Sequence, residues 1–227
     1  MEGSSIRQLK KKIEEILIQG IGRQKAIALL SIPGKQAVNP LFSFFFSSDE
    51  MLKWRAVSAM GIVADNMAKQ NMEQARVVMR RLMWNLNDES GSIGWGSAEA
   101  MGEIMERNKA LANEYSKLLT SCINRVGNFI EHEMLQRGVL LGIGRLAHAR
   151  PELIKSAAIH LNDFMLSPDI IKRGLSAWAA EPLKSDLNKT FLIPLLNDPS
   201  TLDIYIDGEM VSFSVSHLAG KALEKIL

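Results

Sequence analysis

Five segments of this chain carry the same small-residue signature at nearly even intervals of about forty residues. They are Trp54-Arg55-Ala56-Val57-Ser58-Ala59-Met60-Gly61, Trp95-Gly96-Ser97-Ala98-Glu99-Ala100-Met101-Gly102, Arg137-Gly138-Val139-Leu140-Leu141-Gly142-Ile143-Gly144, Arg173-Gly174-Leu175-Ser176-Ala177-Trp178-Ala179-Ala180 and Val215-Ser216-His217-Leu218-Ala219-Gly220-Lys221-Ala222. Self-similarity at a fixed period is the mark of stacked repeats, in which no unit can bury its apolar face alone. Gly, Ala and Ser at the centre of each copy allow a helix to approach its neighbours closely. Each copy is preceded by a second apolar-periodic segment, at about 38–46, 72–86, 111–125, 152–165 and 188–196. An N-terminal segment adds one more pair, with Ile6, Leu9, Ile13, Ile16 and Leu17 at helical spacing and then residues 23–32.

The boundaries support helical hairpins. Ser47 with Glu50 forms a potential capping box. Ser167-Pro168 supplies an N-cap followed by proline at the first helical position, and Pro151 can open another helix. Ser92 can cap the helix after the Gly91 turn. One element departs from the pattern. Residues 202–206 and 209–213 alternate around Asp207-Gly208, which predicts a β-hairpin with a type I′ turn. That register sets Ile204 opposite Val211 and Leu202 opposite Phe213, so one face is apolar and packs on the last helices. The expected architecture is an all-α solenoid of about six antiparallel helix pairs in one domain, 1–227. Residues 5–35 form a degenerate capping pair, 36–201 the repeats, 202–214 the hairpin and 215–227 a C-terminal helix.

Composition narrows the function classes. At 47% hydrophobic and 23% charged, the chain is globular. Its balance of 27 basic against 25 acidic residues gives no general pull toward nucleic acid or anionic membrane. The apolar run 139–144, bounded by Arg137 and Arg145, is far too short to span a bilayer, and the N-terminus lacks a signal-peptide core. Lys10-Lys11-Lys12 reads as the solvated face of a capping helix. The lone Cys122 permits no intrachain disulfide and reads as a packed thiol, so a cytoplasmic setting is expected.

With period and second-helix pattern in place, the chain resembles the HEAT-repeat superfamily, particularly the bacterial HEAT-like repeats named after phycobilisome lyases. The resemblance runs from about residue 36 to 227. It implies an α-solenoid whose second helices line a concave surface, in a superfamily dominated by protein-binding scaffolds with a few enzymes.

Two sets of residues stand out as candidate sites. Aligned second-helix positions hold Trp54, Trp95, Arg137 and Arg173 at the helix start. One position past the small residue are Glu103 and Arg145, and Glu99 replaces the small or apolar residue of the other copies. Together they suggest a mixed aromatic and charged groove of the kind that anchors protein interfaces. The second set is Trp84, Asn85, Asn87, Asp88 and Glu89, leading into a turn with glycines at 91, 94 and 96. The plain alternative for it is a tight turn with Trp84 and Trp95 packed in the core.

Catalytic, metal and cofactor motifs are not found. Glu131-His132-Glu133 points its side chains in different directions, the four histidines share no ligand spacing, and Gly138, Gly142 and Gly144 follow no strand. The leading expectation is therefore a non-enzymatic scaffold for a protein or peptide partner. A HEAT-like DNA glycosylase type of protein is the alternative, and a tetrapyrrole-related lyase or chaperone a third.

Overall fold

The structure, a computed structural model, describes residues 2–20, 23–87 and 94–226; for residues 2–5 and 23–25 the description covers the backbone alone. The chain forms two compact units, residues 1–108 and 109–227. The first holds α1 (Glu2–Ile18), α2 (Arg23–Leu30), α3 (Gly34–Phe44), α4 (Glu50–Gln70), α5 (Met72–Leu86) and α6 (Ser97–Arg107). The second holds α7 (Lys109–Ser121), α8 (Glu133–Ala149), α9 (Ala157–Met165), α10 (Ile170–Ala180) and α11 (Lys189–Leu195). It closes with β1 (Thr201–Ile206), β2 (Glu209–Ser214) and α12 (Val215–Ile226).

Helix α5 shows why these segments fold as they do. Ala75, Val78, Met79, Leu82 and Leu86 recur at helical spacing and are buried, giving one apolar stripe. The Asn71 side chain caps the helix by accepting the Glu73 N–H. Its span matches the expected 72–86. At the start of α4 the capping differs from expectation. Asp49, not Ser47, accepts the Leu52 N–H, while the Ser47 hydroxyl accepts the Asp49 N–H one step outside the helix. The same arrangement opens α10: Asp169 accepts the N–H groups of Ile171 and Lys172, and Ser167 holds Asp169. Asp wins because a carboxylate at a helix N-terminus makes charge-assisted hydrogen bonds and meets the positive end of the dipole. Pro168 therefore stands before the helix.

Two further expectations are corrected. Residues 152–165 do not form one helix: Pro151–Leu153 is a 3₁₀ turn, and α9 starts at Ala157. The break lets Ile154 turn into the core, where it is buried. Residues 111–125 stop being helical at Ser121. The expected cap Ser92 lies outside the described residues; Gly96 stands at the N-cap position of α6, at φ +75°. A side chain at Gly96 would also strike Phe45. Here glycine serves both the left-handed backbone and the close approach.

Within each unit the second helices pack on one another. α4 lies against α6, and α8 against α10. A methyl group on Gly61 would sit 2.9 Å from the Glu103 Cβ, and one on Gly144 would overlap the Trp178 ring. The small residues thus act as the sequence suggested, by bringing layers together. The hairpin has the expected register, Ile204 with Val211 and Leu202 with Phe213. Positive φ at Asp207 (52°) and Gly208 (95°) fits the type I′ turn. β1 rests on α10, where Leu202 covers Gly174, and β2 rests on α12. No helix among the described residues is long and apolar enough to cross a membrane.

Candidate functional site

In the first unit, Trp54 lies on α4 with Lys53 Nζ 4.8 Å over its ring centroid and its indole N–H donating to Glu50 at 3.4 Å. Trp95 precedes α6 and is 41% exposed. Glu99, in the first turn of α6, is only 7% exposed. Burial pushes its carboxyl above the usual glutamate range, against the opposing pull of the Lys53 charge and of its own backbone N–H. One turn further, Glu103 is 1% exposed. It accepts the Ser58 hydroxyl at 3.0 Å and pairs with Arg107 at 3.0 Å. The α4–α6 contact therefore contains two acids of different standing. Glu103 is held by a hydroxyl and a guanidinium, whereas among the described residues Lys53 is the one charged side chain that acts on Glu99.

In the second unit the predicted arginines bind the next layer of the chain itself. Arg137 of α8 donates to Asp169, the cap of α10, at 2.7 Å. Arg173 of α10 donates to Asp198 at 2.8 Å and to the carbonyls of Ser167 and Pro168. Despite the cost of burial, Arg173 and Ser200 hold the Asp198 carboxyl below its usual range. Arg145 donates to the Tyr205 carbonyl of β1. The aligned arginine position thus has one geometry in two successive layers: a guanidinium on a second helix, reaching an aspartate that organises the start of the following element. His148 stacks on Trp178 at 4.7 Å between ring centroids. Desolvation pushes its pKa down, helped by Arg145 and opposed by Glu181 and the Trp178 carbonyl.

The second candidate patch divides. Trp84 is 69% exposed on α5, Asn85 is buried, and Asn87 is the exposed C-cap of that helix. Asp88 and Glu89 lie outside the described residues. Neither Trp84 nor Trp95 is a core residue. A cleft of about 470 Å³ lies instead among α3, α4 and α5, lined by Val38, Met67, Val77 and Val78 together with Lys35 and Glu73. None of the sequence-predicted site residues lines it.

Glu131, His132 and Glu133 are exposed. Cys122 is buried, and burial pushes its thiol up to about 11. Among the described residues no three His, Cys, Asp or Glu side chains gather to hold a metal ion. The residues missed in the sequence are the partners: Lys53, Ser58 and Arg107 in the first unit, Asp169 and Asp198 in the second. Asp169 and Asp198 carried a readable signal, since each stands just before an element and beside Ser, Pro or both.

No known protein family matches the chain's sequence. An uncharacterised protein of Archaeoglobus fulgidus is 28% identical over 117 residues, 52% of this chain and 55% of that protein. The chain thus spans about half the length of the relative it matches. Among solved structures, a designed armadillo repeat protein in complex with a (KR)4 peptide superposes with a TM-score of 0.61 at 17% identity, covering 99% of this chain and 92% of the other. Computationally designed armadillo repeat proteins for modular peptide recognition superpose at 0.57 and 16% identity, covering 99% and 93%. An engineered protein superposes at 0.56 and 18% identity, covering 96% of each chain. With helix pairs stacked through small residues, these likenesses define the class: an armadillo and HEAT-type repeat fold, an α-solenoid with a small hairpin near its C-terminus. The phycobilisome-lyase resemblance finds no counterpart among these matches.

Proposed function

We propose that the protein is a non-enzymatic scaffold that binds a protein or peptide on the faces of its second helices. The observation that carries this reading is Trp95, an indole 41% exposed immediately before α6, the helix whose first turn holds the buried Glu99. An exposed indole contributes little to the core of the folded chain, and a large aromatic side chain of this kind gives a partner the anchor around which interface hot spots are built. Repeat scaffolds of this fold include proteins designed for peptide recognition, which supports a binding role.

Trp54 extends this surface within the first unit. Glu103, Arg137, Arg145 and Arg173 belong to the proposal as shaping residues, because each is already bound to another part of the chain. Affinity capture followed by titration of the recovered partner tests the reading. Trp95→Ala is expected to weaken binding at least about thirtyfold, the scale of a hot-spot loss of 2 kcal/mol, with unfolding temperature unchanged. Arg137→Ala should weaken it less and lower stability. Undiminished capture by both variants would sink the proposal.

A further inference from the structure

The hairpin has two edges, and they differ in what reaches their outward main-chain groups. In a two-residue hairpin the residues flanking the turn exchange both hydrogen bonds, so Ile206–Glu209, Ile204–Val211 and Leu202–Phe213 are the bonded pairs. The N–H and C=O groups of Tyr205 and Asp203 therefore point outward from β1, and those of Met210 and Ser212 outward from β2. On the β1 side, Arg145 takes up the Tyr205 carbonyl. On the β2 side, among the described residues, no hydrogen bond reaches the main chain of Met210 or Ser212. β2 contains no lysine, no proline and no bulge, the usual means of blocking an edge. None of its residues is fully buried.

We infer that the open edge of β2 is a self-association site, where two copies of this chain pair antiparallel about a two-fold axis at Ser212. The outward-pointing residues fix the register. Ser212 meets Ser212 of the second copy, Met210 meets Ser214, and Val211 meets Phe213, a β-branched residue against an aromatic one. No like charges face each other. The single charge of the strand, Glu209, falls opposite Val215 of the second copy, at the N-terminus of α12. That 12-residue helix carries no acidic residue in its first turn. Asp207 and Glu209 have no ion-pair partner among the described residues. Each acidic turn therefore meets the positive end of the other copy's helix dipole, a complementarity that the two-fold doubles. This inference is independent of the proposed binding face.

Sedimentation velocity on the full chain, from micromolar to several hundred micromolar, is the test. The expected result is a concentration-dependent dimer, lost in Ser212→Pro. Proline there removes an outward N–H and leaves the β1–β2 bonds of Val211 and Phe213 in place; far-UV circular dichroism checks the fold. Ser212→Cys gives an independent reading. Mild oxidation should trap it as a covalent dimer, because the two sulfurs face each other, whereas Ser214→Cys should not trap. A chain monomeric throughout, a dimer undiminished by Ser212→Pro, or equal trapping at 212 and 214 would overturn the inference. So would an edge that takes up an unrelated extended peptide while the chain stays monomeric.

Discussion

Glu99 and Glu103 occupy successive turns of one helix, and their fates are set by the side chains that α4 and α6 place around them. Glu103 meets Ser58 and Arg107 and is satisfied. The Lys53 charge does not offset the burial of Glu99, so its pKa rises above the ordinary 4.5. The folded state then binds this proton more tightly than the unfolded chain does. The stabilisation is full below pH 4.5, and it is lost as pH rises through that value toward the raised folded one. Glu99→Gln removes the dependence. Thermal unfolding across about pH 4–8 should show the variant more stable at neutral pH by about 1 kcal/mol, with the gap closing on acidification. A wild type favoured at neutral pH would contradict this account. Alignment of the repeats singled out both positions, Glu99 because it breaks a column of small and apolar residues and Glu103 as part of a column of mixed charge. It could not separate them. That distinction depends on Arg107, whose i,i+4 spacing from Glu103 is local, and on Ser58, and nothing local in the sequence says that α4 brings Ser58 to Glu103.

Aspartates at element starts join one layer to the next. Asp169 uses one carboxylate oxygen for the N–H groups of Ile171 and Lys172 and the other for Arg137. Asp169→Ala loses the cap and the pair together, about 2 kcal/mol from typical values for each. Asp169→Asn keeps the capping oxygen and should lose about half as much. Denaturant unfolding of both, with Arg137→Ala in a double-mutant cycle, separates the two parts. Equal losses in the two Asp169 variants would mean that the cap contributes nothing. The helices themselves were readable wherever the apolar stripe and the cap were local, as in α5. The hairpin was readable for the same reason, since Asp207-Gly208 and strict alternation determine turn and register together. The expected helix over 152–165 failed because burial of Ile154 outweighed local propensity for a continuous helix. The expected caps at Ser47 and Ser167 failed by two residues because Ser-x-Asp offers two capping side chains, and the carboxylate is the stronger.

At the scale of the whole molecule, the net charge of +2 hides how its charges are used. Arg107, Arg125, Arg137 and Arg173 all pair with acids of their own unit. Guanidinium groups engaged in this way hold few counterions and have few to release. Binding through Trp95 and its surroundings should therefore depend on apolar contact and respond weakly to salt. Contacts to six to ten phosphates would instead cost roughly 10³–10⁵ in affinity between 50 and 200 mM salt. The prediction separates the scaffold from the DNA-binding alternative whatever the identity of the partner. Titrated at about 50 and 200 mM salt, the captured partner should change its Kd by no more than about threefold, since only a few rim charges contribute. A loss of a hundredfold or more would mean that a polyanion is bound, with exposed lysines such as Lys11, Lys12 and Lys35 among the cations available to bind it.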